Sequence, residues 1–143
     1  MTNDEIATLA LAHLEAAGLD DIFKPPLLNE PLETRLFQQS DRFKADLRRA
    51  VIQFLRHPSS DGFQPLTRLK IPKTRHAYRQ ASLVDIVDLV RYTALVVKVA
   101  PTIEAHRVPD DLNTVFSSRY RPEAPFFGIG NGYDRFRAAS QDL

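Results

Sequence analysis

The sequence predicts a single α+β domain, mostly helical: N-terminal helices, a basic β-hairpin, a long buried helix, and short strands with aromatics at the C-terminus. Three observations carry this expectation. Apolar residues recur at helical spacing near the N-terminus, again after Ser40, and again after Ser82. Between the last two, residues 68–79 alternate cations with apolar side chains, which is the period of a strand. The last third changes once more, with turn residues scattered among Phe116, Tyr120, Phe126, Phe127, Tyr133 and Phe136. A chain of 143 residues fits one domain able to bury a real core, with a helical region at 1–58 and a second region at 59–143.

Taken in order, Thr2 followed by Glu5 forms a capping-box pattern, and Ile6, Leu9, Ala10, Leu14 and Ala17 then mark one helical face until Gly18 stops it. Residues 19–39 hold Pro25, Pro26 and Pro31 among scattered Leu and Phe, so an extended connector is expected there. Ser40 caps a second helix whose Phe43, Leu47, Ala50, Val51, Phe54 and Leu55 share a face, and His57 with Pro58 ends it. Its cations Arg42, Lys44, Arg48 and Arg49 lie off that face, and a solvated helix side explains them more simply than nucleic-acid contact.

A turn at SSDG, 59–62, leads into the alternating segment. The next helix opens at SLVD, where Ser82 and Asp85 form a second capping-box pattern. Leu83, Val84, Ile86, Val87, Leu89, Val90, Leu95, Val96 and Val99 cover most of its circumference, so it is expected at the centre of the core. Pro101 either kinks it or begins a further segment carrying Ile103 and Glu104, closed by Val108 and Pro109. A final helix is expected over 134–139.

Composition narrows the class. Apolar content of 43% and charged content of 26% are ordinary for globular chains and argue against disorder and against a membrane protein. The absence of cysteine removes disulfides, thiolate metal sites and a cysteine nucleophile. The N-terminus has acids and no basic segment ahead of its apolar residues, unlike a secretory signal. The apolar run near residues 94–101 is broken by Lys98 and falls far short of the roughly 20 residues that span a bilayer. A cytoplasmic protein without membrane association is expected, with no internal repeat and no low-complexity tract.

The formal net charge is only +1, yet residues 62–84 hold no acid at all while Arg68, Lys70, Lys73, Arg75 and Arg79 fall within them. Such a local field attracts anions whatever the total charge, and a phosphate group is the simplest partner. Solubility, or protection of an edge strand against aggregation, is the plainer alternative.

The order IPK at 71–73, YR at 78–79, Asp88 and then LVRYTALV resembles the opening of a reverse transcriptase domain, of the kind found in bacterial retroelements and defence systems. VFSSRY at 115–120 is similar to that family's later F-S-aromatic-R signature, with Ser118 where an aromatic is common, and Ala77 stands where many members have Gly. The resemblance covers roughly residues 65–140. It implies an incomplete polymerase fingers and palm, in which Lys73 and, six residues on, Arg79 hold the triphosphate of an incoming dNTP. Asp88 matches the Asp that opens the helix after the hairpin. The implied partners are an RNA or DNA template-primer and a C-terminal polymerase half. The family's catalytic carboxylates and their Mg²⁺ would lie beyond Leu143, so this chain alone is expected to contain no catalytic residue, no cofactor and no activity.

Further contacts are expected from Arg75 and His76 near the hairpin turn, placed for a template backbone, and from Arg119 and Arg121 beside Tyr120, a pairing suited to stacking on a base while holding a phosphate. A core role for this segment, with Arg119 paired to an acid, is the competing expectation. Other constellations are weaker. Asp110 and Asp111 follow Pro109 and read as a turn or cap, not a metal pair. GIGNG at 128–132 lacks the residues of a phosphate loop, and His13, His57, His76 and His106 lack metal-ligand spacing. Asp85 and Asp88 are expected as a cap or a buried ion-pair partner. The alternative to the polymerase reading is a self-contained helical module that binds nucleic acid or protein without nucleotide chemistry.

Overall fold

A computed structural model describes residues 1–17, 32–58, 62–74, 77–109, 119–121 and 137. Helix α1 spans Asn3–Ala17, α2 Leu32–Gln39 and α3 Asp41–Arg56. Strands β1, Thr67–Thr74, and β2, Ala77–Leu83, follow, and α4 runs Ile86–Ala105. The molecule is mostly helical, as the apolar spacing predicts. No helix among the described residues is long and apolar enough to cross a membrane.

The start of α1 matches its sequence signature. Thr2 N–H donates to Glu5 Oε2 at 2.6 Å, and Glu5 N–H donates back to Thr2 Oγ1 at 3.2 Å. These bonds to the ionised form hold the Glu5 carboxyl below its ordinary range. The buried face is Ile6, Ala7, Ala10, Leu11 and Leu14, turned slightly from the expected one, with Leu9 only partly covered and Ala17 exposed.

Residues 32–39 are helical, against the expectation of an extended connector; residues 18–31 lie outside the described set. Pro31 precedes α2 and so breaks none of its hydrogen bonds, while Thr34 and Phe37, one turn apart, give the short helix a buried side. A single residue, Ser40, joins α2 to α3. Its extended backbone turns the chain, its N–H continues α2 to Leu36 O at 2.9 Å, and its hydroxyl accepts Phe43 N–H at 3.2 Å.

Helices α1, α3 and α4 pack against one another, and α2 lies on α3. Leu47, Val51, Phe54 and Leu55 of α3 meet the α1 face and Ile86, Val90, Ala94 and Val97 of α4. Val51, Val90 and Val97 are fully buried at the centre. Each such aliphatic side chain contributes about 1.5–3 kcal/mol by leaving water.

Helix α4 departs from the sequence reading at its start and around its girth. Residues 82 and 83 remain in β2, so Ser82 is not a cap; the N-cap is Asp85, whose carboxylate accepts the N–H groups of Val87 at 2.8 Å and Asp88 at 3.4 Å. Of the two alternatives open at Pro101, the new segment does not form: the helix runs through the proline to Ala105. Nor is α4 buried all round: Tyr92, Val99 and Ile103 are 61%, 48% and 58% exposed. The strands form an antiparallel two-stranded hairpin. Among the described residues neither strand packs extensively on a helix, so the hairpin stands off the bundle.

Candidate nucleic-acid interface

The hairpin register pairs Thr67 with Leu83, Arg68 with Ser82, Leu69 with Ala81, Lys70 with Gln80, Ile71 with Arg79 and Pro72 with Tyr78. The next pair is Thr74 with Ala77. Lys73 is therefore the one extra residue between the last two pairs, a β-bulge near the hairpin tip. This bulge falls at the Lys that the resemblance to reverse transcriptases singles out. Arg79 sits two pairs from the tip on β2. Arg75 and His76, and the side chains of Lys73 and Arg79, lie outside the described residues.

Directly opposed residues share a face of a two-stranded ladder. Arg68 and Lys70 thus share one with Tyr78, Gln80 and Ser82, and all of these are exposed, Tyr78 at 69%. That face combines cations, a flat aromatic ring and an amide, a set suited to phosphates and to stacking on a base.

At its root the hairpin is tied to the bundle through an unexpected partner. Asp88, in the first turn of α4, is 3% exposed. Its Oδ2 accepts the backbone N–H of Gln64 at 2.6 Å, and its Oδ1 lies 3.2 Å from Arg91 Nη1. The Arg91 guanidinium lies 5.3 Å from the centroid of the Phe54 ring, and Phe63 meets the same ring edge-on at 5.8 Å. Asp88 is thus the buried ion-pair partner that the sequence allowed. Its bond to Gln64, 24 positions away, has no local signal in the sequence. Beside these groups lies an apolar cleft of about 410 Å³, lined by Phe63, Leu66, Val84, Leu89 and Tyr92 with Gln64 and Asp88.

Several cations elsewhere are engaged by acids. Lys44 Nζ lies 2.6 Å from Glu15 Oε1, and this bond raises the Lys44 pKa. Arg48 pairs with Asp4 and Arg49 with Asp46. Three of the four cations on the basic side of α3 thus pair with acids of α1 or of α3 itself, in keeping with the expectation of a side without nucleic-acid contact. Arg107 and Arg119 both pair with Glu104. Arg119 Nη1 also donates to Val108 O at 3.0 Å, and Tyr120 packs partly buried against the core. The guanidinium of Arg119 is engaged by Glu104 and the Val108 carbonyl at a partly exposed site, while Arg121 is exposed beside it.

Among the described residues no three His, Asp or Glu gather as a metal site. Asp110, Asp111, the 128–132 turn, the first part of the 115–120 signature and the C-terminal aromatics other than Tyr120 lie outside the described residues. Of the expected final helix, Arg137 alone is described, and it is helical. Compared with protein-family models, with curated proteins and with solved structures, the chain matches none.

Proposed function

We propose that this chain is a fingers-type portion of an RNA-directed DNA polymerase that grips phosphate groups with its basic hairpin. Lys73 and Arg79 hold the triphosphate of an incoming dNTP. Arg68, Lys70, Arg75 and His76 on the arm, with exposed Arg121, follow the backbone of a template-primer. The observation that carries this reading is the contrast in charge. Among the described residues, Lys44, Arg48, Arg49 and Arg91 on the helices pair with carboxylates, although Arg42, Arg56 and Lys98 do not, whereas the projecting hairpin concentrates its cations in a stretch with no acid from residue 62 to 84, and there Arg68 and Lys70 form no ion pair.

The chemistry of such an arm is electrostatic. Cations set on the triphosphate offset charge that develops during phosphoryl transfer, and an arginine does so with two parallel N–H donors. The metal-binding carboxylates and Mg²⁺ of the reaction belong to a complete polymerase, so the role assigned to this chain is binding and orientation. A helical interaction module is the second reading, favoured by the apolar cleft at the hairpin root.

The deciding experiment measures binding of a labelled primer-template, with and without dNTP, across a salt series for the wild type and for Lys73→Ala/Arg79→Ala. The expected result is salt-sensitive binding that dNTP strengthens, with the double variant losing the dNTP effect. Removing Arg68 and Lys70 as well lowers the salt slope by about 0.7–0.9 for each phosphate that is no longer neutralised. A folded wild type that binds nothing at low salt overturns the proposal.

A further inference from the structure

We infer that Asp88 is a positioning residue that fixes the hairpin on the bundle, and through that position sets how well the arm's cations reach a polyanion. The binding consequence rests on the function proposed above; the mechanical part does not.

The hairpin has two legs. The outgoing leg is short: β2 ends at Leu83, and after Val84 the chain reaches Asp85, the N-cap of α4, so this leg is fixed covalently and by the cap. The incoming leg, residues 62–66, carries no regular structure and leaves Phe63 and Leu66 52% and 56% exposed. Apolar packing alone holds such a segment weakly. Its polar tie is the Gln64 N–H to the Asp88 carboxylate, at 2.6 Å. Its apolar tie is Phe63 on Phe54, the ring that also carries the Arg91 guanidinium. Both ties converge on Asp88 and Arg91, within one turn of α4. A two-stranded ladder that, among the described residues, has no third strand beside it takes its direction from its legs, so freeing one of them lets the arm swing about the other.

Asp88 does this with two acceptor oxygens facing two donors, Gln64 N–H and Arg91 Nη1. An asparagine has one acceptor and one donor group, so Asp88→Asn sets an NH₂ against one of those donors while keeping the shape. The substitution therefore breaks the tie without opening a cavity.

The chain contains no cysteine, so Ala16→Cys on α1 and Gln80→Cys on β2, both exposed, accept a pair of spin labels without competing sites. In the full chain with Asp88 intact, a narrow distance distribution between the labels is expected. Asp88→Asn broadens it, speeds exchange of the Gln64 amide by about tenfold, and weakens primer-template binding several-fold. Val97→Ala, a core truncation on the same helix away from the root, destabilises the fold yet leaves distances and affinity at wild-type values. Phe63→Ala, at a half-exposed site, releases the other tie and broadens the distribution in the same way, which covers the case in which Asp88→Asn does not fold.

Unchanged distances and unchanged Gln64 exchange in Asp88→Asn overturn the inference, as do broadened distances with wild-type affinity in a chain that binds. A wild type that binds no nucleic acid overturns the phosphate reading alone, because the distances still judge Asp88.

Discussion

Glu104 Oε1 lies 2.8 Å from Arg119 Nε, and Glu104 Oε2 accepts the backbone N–H of Tyr120 at 3.1 Å. One carboxylate on the last turn of α4 thus docks a segment 15 residues further on, with Arg107 on the same oxygen as Tyr120 at 3.2 Å. Glu104 and Arg119 are each about a quarter exposed, and removing the carboxylate leaves an arginine and a backbone N–H short of an acceptor. Glu104→Ala is expected to lower unfolding free energy by about 1–3 kcal/mol in denaturant titration. Arg119→Ala lowers stability too, and is expected to leave primer-template affinity unchanged because its guanidinium is already engaged by Glu104 and the Val108 carbonyl. A marked loss of affinity in Arg119→Ala would return that residue to the binding surface.

Ser40 carries more structure than its size suggests, because α2 and α3 meet on it. Ser40→Ala removes the hydroxyl that accepts Phe43 N–H and is expected to cost about 1 kcal/mol, a typical loss for a cap. Val90→Ala, at a fully buried site, is expected to cost about 2 kcal/mol, and Val99→Ala, half-exposed on the same helix, less than about 0.5 kcal/mol. Denaturant midpoints at constant slope check all three, and a Val99→Ala cost equal to that of Val90→Ala contradicts the two-sided description of α4.

What could be read in the sequence was what is local. The Thr2–Glu5 box, the Ser40 cap, the α3 core face and the alternating hairpin each announce themselves within a few residues, and each forms. The misreadings come from competition between local and longer-range terms. Ser82–Asp85 has the spacing of a capping box, but pairing of Ser82 with Arg68 extends the ladder and shifts the cap to Asp85. Pro31 suggested a long connector, although a proline just before a helix does not interrupt it. Apolar content made α4 look wholly buried, when Tyr92, Val99 and Ile103 are exposed and Val96 is only partly buried. The candidate site divides the same way: the cations are visible as composition, whereas the Asp88–Gln64 tie and the pairing of α3 cations with α1 acids exist only once the chain has folded.

Stability is expected to fall on acidification, in two stages. Burial pushes the His13 pKa below its ordinary value of about 6.5, so below that value the unfolded chain takes up a proton that the folded chain resists. Stability therefore drops as pH falls from about 6.5 toward the folded value. Glu5, held below its ordinary range by the Thr2 bonds, adds stability that is present above about 4.3 and is lost as pH falls through its folded value. Thermal midpoints between pH 7 and 3 should show both stages. His13→Gln should flatten the first, and Thr2→Ala the second; a flat wild-type profile refutes both.

The uncovered side of α4 gives the last prediction. Tyr92, Val96, Val99 and Ile103 follow one another at spacings of four, three and four residues, which aligns them along the helix as a continuous apolar line. Contiguous exposed apolar surface lowers solubility, and Tyr92, Val99 and Ile103 contribute little to the fold because they stay largely in water, while Val96 is partly covered. Val99→Glu/Ile103→Glu is therefore expected to raise the solubility limit while moving unfolding free energy by less than about 0.5 kcal/mol per site. Precipitation assays and denaturant titration on the same samples check the two halves separately. If the double variant unfolds, these residues are packed in solution and the line is buried. If it folds with unchanged solubility, the exposed line does not govern association.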